Sequence, residues 1–381
     1  MKLVELGTIL HMDKGKKPQK QQEKHKEGYL PYVDIQAFEE GIIKSYADPQ
    51  KCLLCEDGDL LIVCDGSRSG LTGRAIKGVV GSTLSKISAD GLCTEYLQYF
   101  IQSKYTLLNT RKKGTGTPHL NAELLKKSKL VIPTQTEQER IVSKIEELFS
   151  KLDASVAELK TAKEKLKVYR QAVLKEAFDA VSESPRAKIQ HICEYIIDCP
   201  HSTPKWTNAG KICLRTTNFK RGYLDLREKN YVSEETFNAR NSRLIPASGD
   251  VLYSREGAIL GIACIIPAGL SVCLGQRMML LRTNEENFNR FLMHYLNSPA
   301  VTNYVASITG GSASPHVNVR DIKNFLIPVP KLDVQKRTVL KIEERISICD
   351  DSERSIDTAI QQAEALRQSI LKQAFEGRLI E

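Results

Sequence analysis

The chain repeats itself, and this repeat constrains the fold more than any other feature of its 381 residues. At an offset of 197 residues, a stretch of about 60 residues aligns without a gap, and Pro118-His119 matches Pro315-His316 within it. The best-preserved part is Arg170-Gln-Ala-Val-Leu-Lys-Glu-Ala-Phe178, which matches Arg367-Gln-Ser-Ile-Leu-Lys-Gln-Ala-Phe375. A repeat of this length predicts two copies of one structural unit.

A weaker similarity extends the repeat upstream at an offset of 191 residues. Its glycines are Gly66, Gly70 and Gly78 in one copy and Gly257, Gly261 and Gly269 in the other. The stretch Gly257–Gly275 contains 19 uncharged residues, which is near the lower limit for a transmembrane helix. However, Pro267 interrupts it, and its first-copy counterpart contains Arg74 and Lys77. We therefore predict two strands around a turn and no membrane span.

Changes of pattern divide the chain into four segments, at residues 1–135, 136–181, 182–331 and 332–381. The first and third segments carry net charges of +5 and +6, whereas the second is neutral and the fourth is −2, which gives +9 in total. Two separate basic bodies are typical of two contacts with a polyanion, most often nucleic acid. Short strands after Gly-Asp turns, together with short helices, predict a mixed α/β fold for both basic segments.

The second and fourth segments read as long helices with an apolar seam. The first helix is expected to begin near Thr136, with a capping box to Glu139, whereas Asp333 caps the second helix and Gly377 ends it. The seam residues are Ile145, Leu148, Leu152, Leu159, Leu166 and Val173 in the first helix and Ile342, Ile356, Leu366 and Ile370 in the second. We predict that the helices pair as an antiparallel coiled coil about a pseudo-twofold axis. The alternative is that each helix packs on its own domain.

Polar and basic residues on loops of the two basic segments are the candidates for nucleic-acid contact, because base-reading side chains project from a scaffold. In the first segment they are Lys14, Lys16, Lys17, Ser67, Arg68, Arg74, Arg111, Lys112 and Lys113. In the other basic segment, residues 182–331, they are His201, Ser202, Thr203, Lys205, Trp206, Lys220, Arg221, Arg255, Gln276 and Arg277. The lysines near the start of the chain are expected to contact phosphates rather than bases.

Neither metal binding nor catalysis has a clear signature. Cys52-x-x-Cys55 has no matching second pair, and His191, Cys193, Cys199 and His201 form an equally loose cluster, so we expect no metal site. No phosphate-binding loop, nucleophile elbow, His-Glu-x-x-His motif or Asn/Asp-Pro-Pro-Tyr element occurs. Residues 1–10 do not resemble a signal peptide, which favours the cytoplasm. We predict a chain with no catalytic residues.

Several motifs together resemble those of the specificity subunits of Type I restriction-modification systems. Each long helix follows a proline and then a Gln and an Arg, as in Ile132-Pro-Thr-Gln-Thr-Glu-Gln-Glu-Arg140, and the chain ends in Ala374-Phe-Glu-Gly-Arg-Leu379. His201-Ser-Thr-Pro204, Gly249-Asp250 and Gly275-Gln-Arg277 are also typical of the family. The resemblance covers nearly the whole chain and is looser over residues 1–110. It departs at the helix entries, where Val334-Gln335 replaces the usual Glu-Gln.

The resemblance implies a non-catalytic reader of double-stranded DNA. Two target recognition domains would each read one half of a split, asymmetric sequence, and the paired helices would hold the domains apart. The helices would also dock two modification subunits, which methylate adenine with S-adenosylmethionine. Restriction subunits would add ATP- and Mg-dependent translocation and cleavage, so this chain itself would need no cofactor. The alternatives are a coiled-coil scaffold with protein-binding ends and a stand-alone methyltransferase.

Overall fold

A computed structural model describes residues 2–113, 118–311 and 315–379. The chain divides into two compact units: unit 1 comprises residues 1–159 and 357–381, and unit 2 comprises residues 160–356. Both long helices cross this division. Each unit is therefore built from one basic segment together with part of each helix.

Unit 1 begins with a mixed α/β segment. Its strands are β1 (Lys2–Glu5), β2 (Leu10–Lys14), β3 (Gln21–Gln22), β4 (Leu30–Val33), β5 (Tyr46–Ala47), β6 (Leu54–Cys55), β7 (Leu60–Val63), β8 (Thr72–Arg74), β9 (Gly78–Val80), β10 (Leu84–Ala89) and β11 (Lys129–Ile132). Its helices are α1 (Ile35–Glu40), α2 (Thr94–Ser103), α3 (Tyr105–Thr110), α4 (Ala122–Lys126) and the first part of the long helix α5 (Gln135–Asp179).

An antiparallel sheet of order β2-β10-β7-β8 is the centre of unit 1. Strand β7 is apolar at every position because both of its faces are buried. Leu60 and Ile62 pack with Leu97 and Phe100 of α2, and Leu61 packs on the other face. That second face is shared with the five-stranded sheet β3-β5-β4-β9-β6, and β1 pairs with β11 alone.

Unit 2 repeats this arrangement with more strands. They are β12 (Arg186–Lys188), β13 (Cys193–Asp198), β14 (Trp206–Thr207), β15 (Lys211–Leu214), β16 (Phe219–Lys220), β17 (Tyr223–Leu224), β18 (Tyr231–Val232), β19 (Val251–Ser254), β20 (Ala263–Ile265), β21 (Val272–Leu274), β22 (Met278–Thr283) and β23 (Leu326–Pro328). Its helices are the end of α5, α6 (Ile189–Ile192), α7 (Glu234–Arg240), α8 (Asn289–Leu296), α9 (Pro299–Thr309), α10 (Val319–Lys323) and the first part of the long helix α11 (Leu332–Phe375).

The central sheet of unit 2 has the order β13-β22-β19-β20, which corresponds strand for strand to the central sheet of unit 1. As in unit 1, the strand after the Gly-Asp turn is buried on both faces: Val251 and Tyr253 lie in one core cluster and Leu252 in another. The uncharged stretch Gly257–Gly275 contains the two strands β20 and β21, as predicted. Among the described residues, no helix is long and apolar enough to cross a membrane.

The caps of the long helices differ from our sequence-based prediction. Helix α5 begins one residue earlier than expected, and its capping box is formed by Thr134 and Glu137. The Thr134 amide donates to the Glu137 carboxylate at 2.8 Å, and the Glu137 amide donates to Thr134 Oγ1 at 3.4 Å. Asp333 lies inside the first turn of α11 and pairs with Arg337, so it does not cap that helix. Gly377 ends α11 as predicted, with φ +72°.

The helices pair antiparallel in each unit. In unit 2, Arg170 pairs with Asp350 while Glu176 pairs with Arg345, so the partner's number falls as the residue number rises. In unit 1, Ile145 and Ile370 share a buried cluster, against which Leu148 and Leu152 also pack. The predicted seam residues Val173 and Ile342 are buried in the main core of unit 2.

Leu366 is a correction to the predicted seam, because 48% of it is exposed. In unit 1 the buried stripe of α11 runs through Ile370, Leu371 and Ala374, and Leu366 lies beside this stripe rather than in it. At about 100° per residue, Ile370, Ala374 and Leu371 lie at about 0°, 40° and 100° around the helix, whereas Leu366 lies at about −40°, outside this stripe. Leu159, Leu166 and Ile356 are partly buried.

Candidate nucleic-acid interface

In unit 1, three loops meet at one edge of the central sheet and bring several predicted residues together. Asp65 follows β7 and accepts hydrogen bonds from Lys14 Nζ at 2.9 Å and His119 Nδ1 at 2.7 Å. Burial alone raises the pKa of the Asp65 carboxyl, but the hydrogen bonds from Lys14 and His119 outweigh it and hold this pKa below its ordinary value. Asp65 is therefore a charged anchor for the ends of two other segments.

The loop after β7 is fixed by the segment that follows α3. Asn109 Nδ2 donates to the carbonyl oxygens of Ser67 at 2.9 Å and Ser69 at 3.1 Å, and Lys112 Nζ donates to Ser67 at 2.6 Å. Lys113 and His119 exchange two backbone hydrogen bonds. We call Lys14, Ser67, Lys112, Lys113 and His119 the unit 1 loop cluster. His119 and Asn109 were absent from our predicted interface. The repeat could have indicated His119, because Pro118-His119 matches Pro315-His316, whereas Asn109 has no such signal.

Not every predicted residue of unit 1 belongs to this cluster. Arg74 lies at the opposite end of the β7–β8 hairpin, where it donates to the Gly58 carbonyl at 2.8 Å and pairs with Glu95 of α2 at 2.6 Å. Its prediction as a loop residue beside Arg68 was therefore wrong. Arg68 pairs with Glu39.

Three other cations among the predicted residues of unit 1 are available for contact with a polyanion. Lys16, Lys17 and Arg111 are exposed, and none of them forms an ion pair within the described part of the chain. Exposed, unpaired cations beside an ordered loop suit phosphate contacts, which need charge rather than exact geometry. Lys16 and Lys17 directly follow Lys14 of the loop cluster.

The corresponding sheet edge of unit 2 is formed by the ends of β13 and β19 and the start of β22. Arg255, which we predicted as a base-reading residue, is only 7% exposed. Its guanidinium donates to both carboxylate oxygens of Asp198, at 2.8 and 3.2 Å. His201 Nε2 lies 3.2 Å from the same carboxylate. This geometry contradicts a free Arg255 and makes it a residue that positions the His201 loop.

Arg240, at the end of α7, also holds the His201 loop, and no sequence pattern predicted this role. It donates to the carbonyl oxygens of Leu274 at 2.6 Å, Gly275 at 2.7 Å, Ser202 at 3.1 Å and Pro200 at 3.2 Å. Gln276 also donates to the His201 carbonyl oxygen. The predicted residues His201, Ser202, Thr203 and Gln276 are thus brought to one edge, with Lys205 exposed beside them.

Arg277 occupies an unusual backbone conformation at this edge. Its φ is +67°, and Lys51 is the only other non-glycine residue with positive φ in the described part of the chain. Its side chain is exposed and crosses Gly257, where an added Cβ would lie 3.3 Å from Arg277 Nη1. Left-handed backbone at a non-glycine residue costs about 1–2 kcal/mol, and such residues concentrate at binding sites. Arg277 is therefore the strongest candidate for base contact in unit 2.

Lys220 and Arg221 are not part of this edge. They lie at the turn between β16 and β17, which opens onto a cavity lined by α5, α8 and α11. Their contact with DNA stays a prediction, and β-pairing places their turn against strand β20 rather than beside the His201 loop. Trp206 is 41% exposed in β14, and the Arg215 guanidinium lies 5.7 Å from the centre of its ring.

Metal binding has no support in the described residues, among which no group of three or more His, Cys, Asp or Glu side chains is arranged to hold an ion. The thiols of the Cys52-x-x-Cys55 pair are hydrogen-bonded to the backbone: Cys52 donates to the Asp48 carbonyl oxygen and Cys55 to the Gly78 carbonyl oxygen. Burial raises the pKa of Cys55 to about 11, which disfavours the thiolate that a metal requires.

Comparison with known proteins agrees with the repeat. The model of the family "Type I restriction modification DNA specificity domain" matches residues 1–165 and 189–362. The chain is 23% identical to the Type I restriction enzyme MjaVIII specificity subunit of Methanocaldococcus jannaschii, over 99% of this chain and 92% of that protein. It is 22% identical to the EcoBI specificity subunit of Escherichia coli, over 84% of this chain and 73% of that protein.

Solved structures show the same fold. A chain from a study of complex assembly and conformational transition in a type I R-M system matches with a TM-score of 0.73 and 21% identity, over 99% of this chain and 98% of that chain. The HsdS subunit from Thermoanaerobacter tengcongensis matches with a TM-score of 0.51 and 20% identity, over 99% of this chain and 97% of that chain. The family match covers most of the sequence, and it falls on both copies of the repeat. The chain therefore belongs to the Type I restriction modification DNA specificity family, the non-catalytic DNA-recognition component of these systems.

Proposed function

We propose that the chain reads a bipartite, asymmetric DNA sequence, with one half recognised by each unit. Residues 1–135 and 182–331 are the two target recognition domains, and residues 136–181 and 332–381 are the helices that separate them. The observation that carries this proposal is the pair of central sheets with one strand order and different side chains at the same edge. In unit 1 the ion pair at this edge joins Lys14 and Asp65. In unit 2 Asp65 is matched by Glu256, and the ion pair instead joins Asp198 and Arg255, which is matched by Cys64 in unit 1.

Recognition of two different half-sequences requires the same backbone arrangement in both units, with different side chains at the sheet edge. Each sheet edge presents hydrogen-bond donors and acceptors in a fixed geometry, and the bases they match depend on the loop residues. The exposed cations near each edge supply phosphate contacts that are independent of sequence.

The repeated helices support docking of two modification subunits, one on each copy of the helix pair. These subunits are proposed to methylate adenine with S-adenosylmethionine, and restriction subunits are proposed to add ATP- and Mg-dependent cleavage. This chain contributes recognition and needs no cofactor of its own in the proposal.

The test is an exchange of one recognition domain in the assembled methyltransferase. Residues 1–130 are replaced by the same region of a relative, and methylated sites are mapped in cells that carry the hybrid with its modification subunits. We expect one half of the recognised sequence to change and the other half to stay the same. A change in both halves, or a single undivided target, would contradict the proposal.

A further inference from the structure

Unit 2 contains a cavity of about 680 Å³ beside the paired helices and away from the sheet edge described above. Its floor is apolar and includes Leu174 of α5, Met293 of α8 and Ile346 of α11. Its rim includes Lys220 and Arg221 on the β16–β17 turn. No part of the candidate DNA interface at the sheet edge lines it, so a separate role has to be considered.

The same place in unit 1 is filled. The repeat relates Ile346 to Phe149 at an offset of 197, and it relates His294 of α8 to Tyr99 of α2, since Phe291–Leu296 matches Tyr96–Ile101. In unit 1 the rings of Tyr99 and Phe149 meet edge to face, with centroids 5.8 Å apart. The Arg367 guanidinium lies 4.5 Å from the centre of the Phe149 ring.

The surrounding frame is common to both units. Arg367 corresponds to Arg170, which lines the cavity of unit 2 and pairs with Asp350 at 2.6 Å and Glu353 at 2.8 Å. His294 pairs with Glu343 at 3.2 Å, at the place where Tyr99 faces Glu146 in unit 1. The two units therefore differ at two matched positions. Unit 1 has two aromatic rings there, whereas unit 2 has an aliphatic side chain and an imidazole.

The charges around the opening limit what could enter. The acids Glu343, Asp350 and Glu353 on the wall are already paired with Arg290, Arg170 or His294. Lys220 and Arg221 form no ion pair within the described residues, and Arg221 makes only one hydrogen bond, to the Asn297 carbonyl oxygen at 3.3 Å. The cations at the opening therefore attract a carboxylate. The apolar floor disfavours burial of a charged group, so the part of the ligand that enters the cavity has to be apolar.

We infer that this cavity receives an aromatic side chain, with a neighbouring carboxylate, from a modification subunit docked on the helices of unit 2. The inference rests on the proposed function, which places modification subunits on these helices. The aromatic ring would occupy the position that Phe149 fills in unit 1, and the carboxylate would pair with Lys220 or Arg221. Aromatic anchors in desolvated pockets contribute most of the affinity in many protein interfaces. A DNA phosphate fits less well, because it has no apolar group to occupy the floor formed by Leu174, Met293 and Ile346.

The test replaces Ile346 by phenylalanine, which is the residue at the matching position of unit 1, so that the new ring occupies the cavity. The full-length chain carrying Ile346→Phe is titrated with the modification subunit, and the dissociation constant of each binding step is measured by calorimetry. We expect one of two steps to weaken by at least about tenfold, as for the loss of a hot-spot contact. The control is Ile348→Phe, which makes the same change at a residue that is 62% exposed and outside the cavity.

A second variant keeps the test decisive if Ile346→Phe disturbs folding. Arg221→Glu reverses the charge on the rim and should also weaken one binding step, whereas the same reversal at exposed Lys229, outside the cavity, should not. Unchanged binding in both cavity variants would overturn the inference while leaving the proposed function intact. A wild-type chain that does not bind the modification subunit would overturn both.

The DNA alternative is measured on the same proteins. Binding of the chain to duplex DNA is followed by fluorescence anisotropy, and we expect Ile346→Phe and Arg221→Glu to leave the affinity within twofold of the wild type. A fall in DNA affinity with unchanged binding of the modification subunit would show that the cavity contacts DNA, which would overturn the inference.

Discussion

Arg170 lies 2.6 Å from the Asp350 carboxylate within unit 2, and the same two residue types pair within unit 1 as Arg367 and Asp153. Both residues of one pair are separated from their counterparts by 197 residues, which is the offset of the sequence repeat. The helix pairing therefore has one register in both units. Because ion pairs to exposed carboxylates contribute little to stability, the apolar clusters stabilise the pairing, and the duplicated ion pairs mark the register that both units share.

Gln138 provides the first prediction. It is 1% exposed, and its amide joins the start of α5 to the loop before α2 by accepting from the Cys93 amide at 2.8 Å and donating to the Gly91 carbonyl oxygen at 2.7 Å. Gln138→Leu should lower the free energy of unfolding by about 1–3 kcal/mol, because it leaves these buried backbone groups unpaired. Urea denaturation measures this change.

The control for Gln138 is Gln135→Leu, at an exposed residue of the same turn whose side chain donates a hydrogen bond to Glu139 of the same helix. It should change stability by no more than about 0.5 kcal/mol. The repeat provides a second check, because Gln335 accepts from the Phe288 amide at 2.9 Å and is equally buried. A loss in only one of the two glutamine variants would contradict a shared structural role.

The sequence predicted the frame of the molecule well. The offset of 197 residues located both helices, and the Gly-Asp turns located the buried strands β7 and β19. These features depend on local pattern and on comparison of the chain with itself, both of which are visible in one sequence. The antiparallel pairing followed because neither apolar stripe can be buried by its own helix.

The interface was predicted less well, because its organisation depends on contacts between distant residues. Arg255 was expected to project from a loop, but its partner Asp198 lies 57 residues away and no pattern connects them. The prediction of Arg74 as a loop residue was wrong for the same reason, since its contact with Glu95 depends on how α2 packs on the sheet. An arginine on a glycine-rich turn has the same sequence signature whether it reads a base or supports a loop.

The contrast between Arg277 and Arg255 is the second prediction. Arg277→Ala should cost about 1–3 kcal/mol in binding to the cognate sequence and relax selectivity at one position of one half-site, as expected for an exposed base contact. Arg277→Gly should relax selectivity equally but raise stability, because glycine adopts positive φ without strain. Methylation mapping and thermal denaturation measure the two effects.

Arg255→Ala serves as the structural counterpart. It leaves the Asp198 carboxylate without its bidentate partner, so stability should fall by about 3 kcal/mol. Where the protein remains folded, affinity should decrease for all sequences alike. Relaxed selectivity at a single base for Arg255→Ala, with none for Arg277→Ala, would reverse these assignments.

Asp65 gives a pH-dependent prediction for unit 1. The pKa of its carboxyl is below the ordinary value in the folded chain, because Lys14 and His119 donate hydrogen bonds to the charged form. The group therefore contributes stability above the unfolded pKa of about 3.9, and this contribution is lost as the pH falls through the lower folded value. Asp65→Asn should lower the melting temperature at neutral pH, and the difference should shrink as the pH falls below about 4.

Differential scanning fluorimetry between pH 3 and pH 8 measures the effect of Asp65→Asn. The control is Asp13→Asn, an exposed carboxylate of β2 that forms no ion pair among the described residues. It should show little change at either pH. A melting-temperature difference for Asp65→Asn that grows as the pH falls would contradict the stabilising role of its charge.

The last prediction concerns the length of the helices, which the proposed function makes the spacer between the two recognition domains. Each helix crosses from one unit to the other, between Leu159 and Lys160 in α5 and between Ile356 and Asp357 in α11. Four residues inserted at both points add about one turn, or about 6 Å, and keep both sets of ion pairs in register. Because B-DNA rises by about 3.4 Å per base pair, the non-specific spacer of the target should lengthen by one or two base pairs. Both half-sequences should remain the same, since the loops at the two sheet edges are untouched.

Insertion in α5 alone is the control: it shifts one helix against the other, separates pairs such as Arg170 and Asp350, and should reduce stability instead of lengthening the spacer. Methylome sequencing with each variant decides the outcome, and full activity on the original spacer would show that the helices do not set the distance.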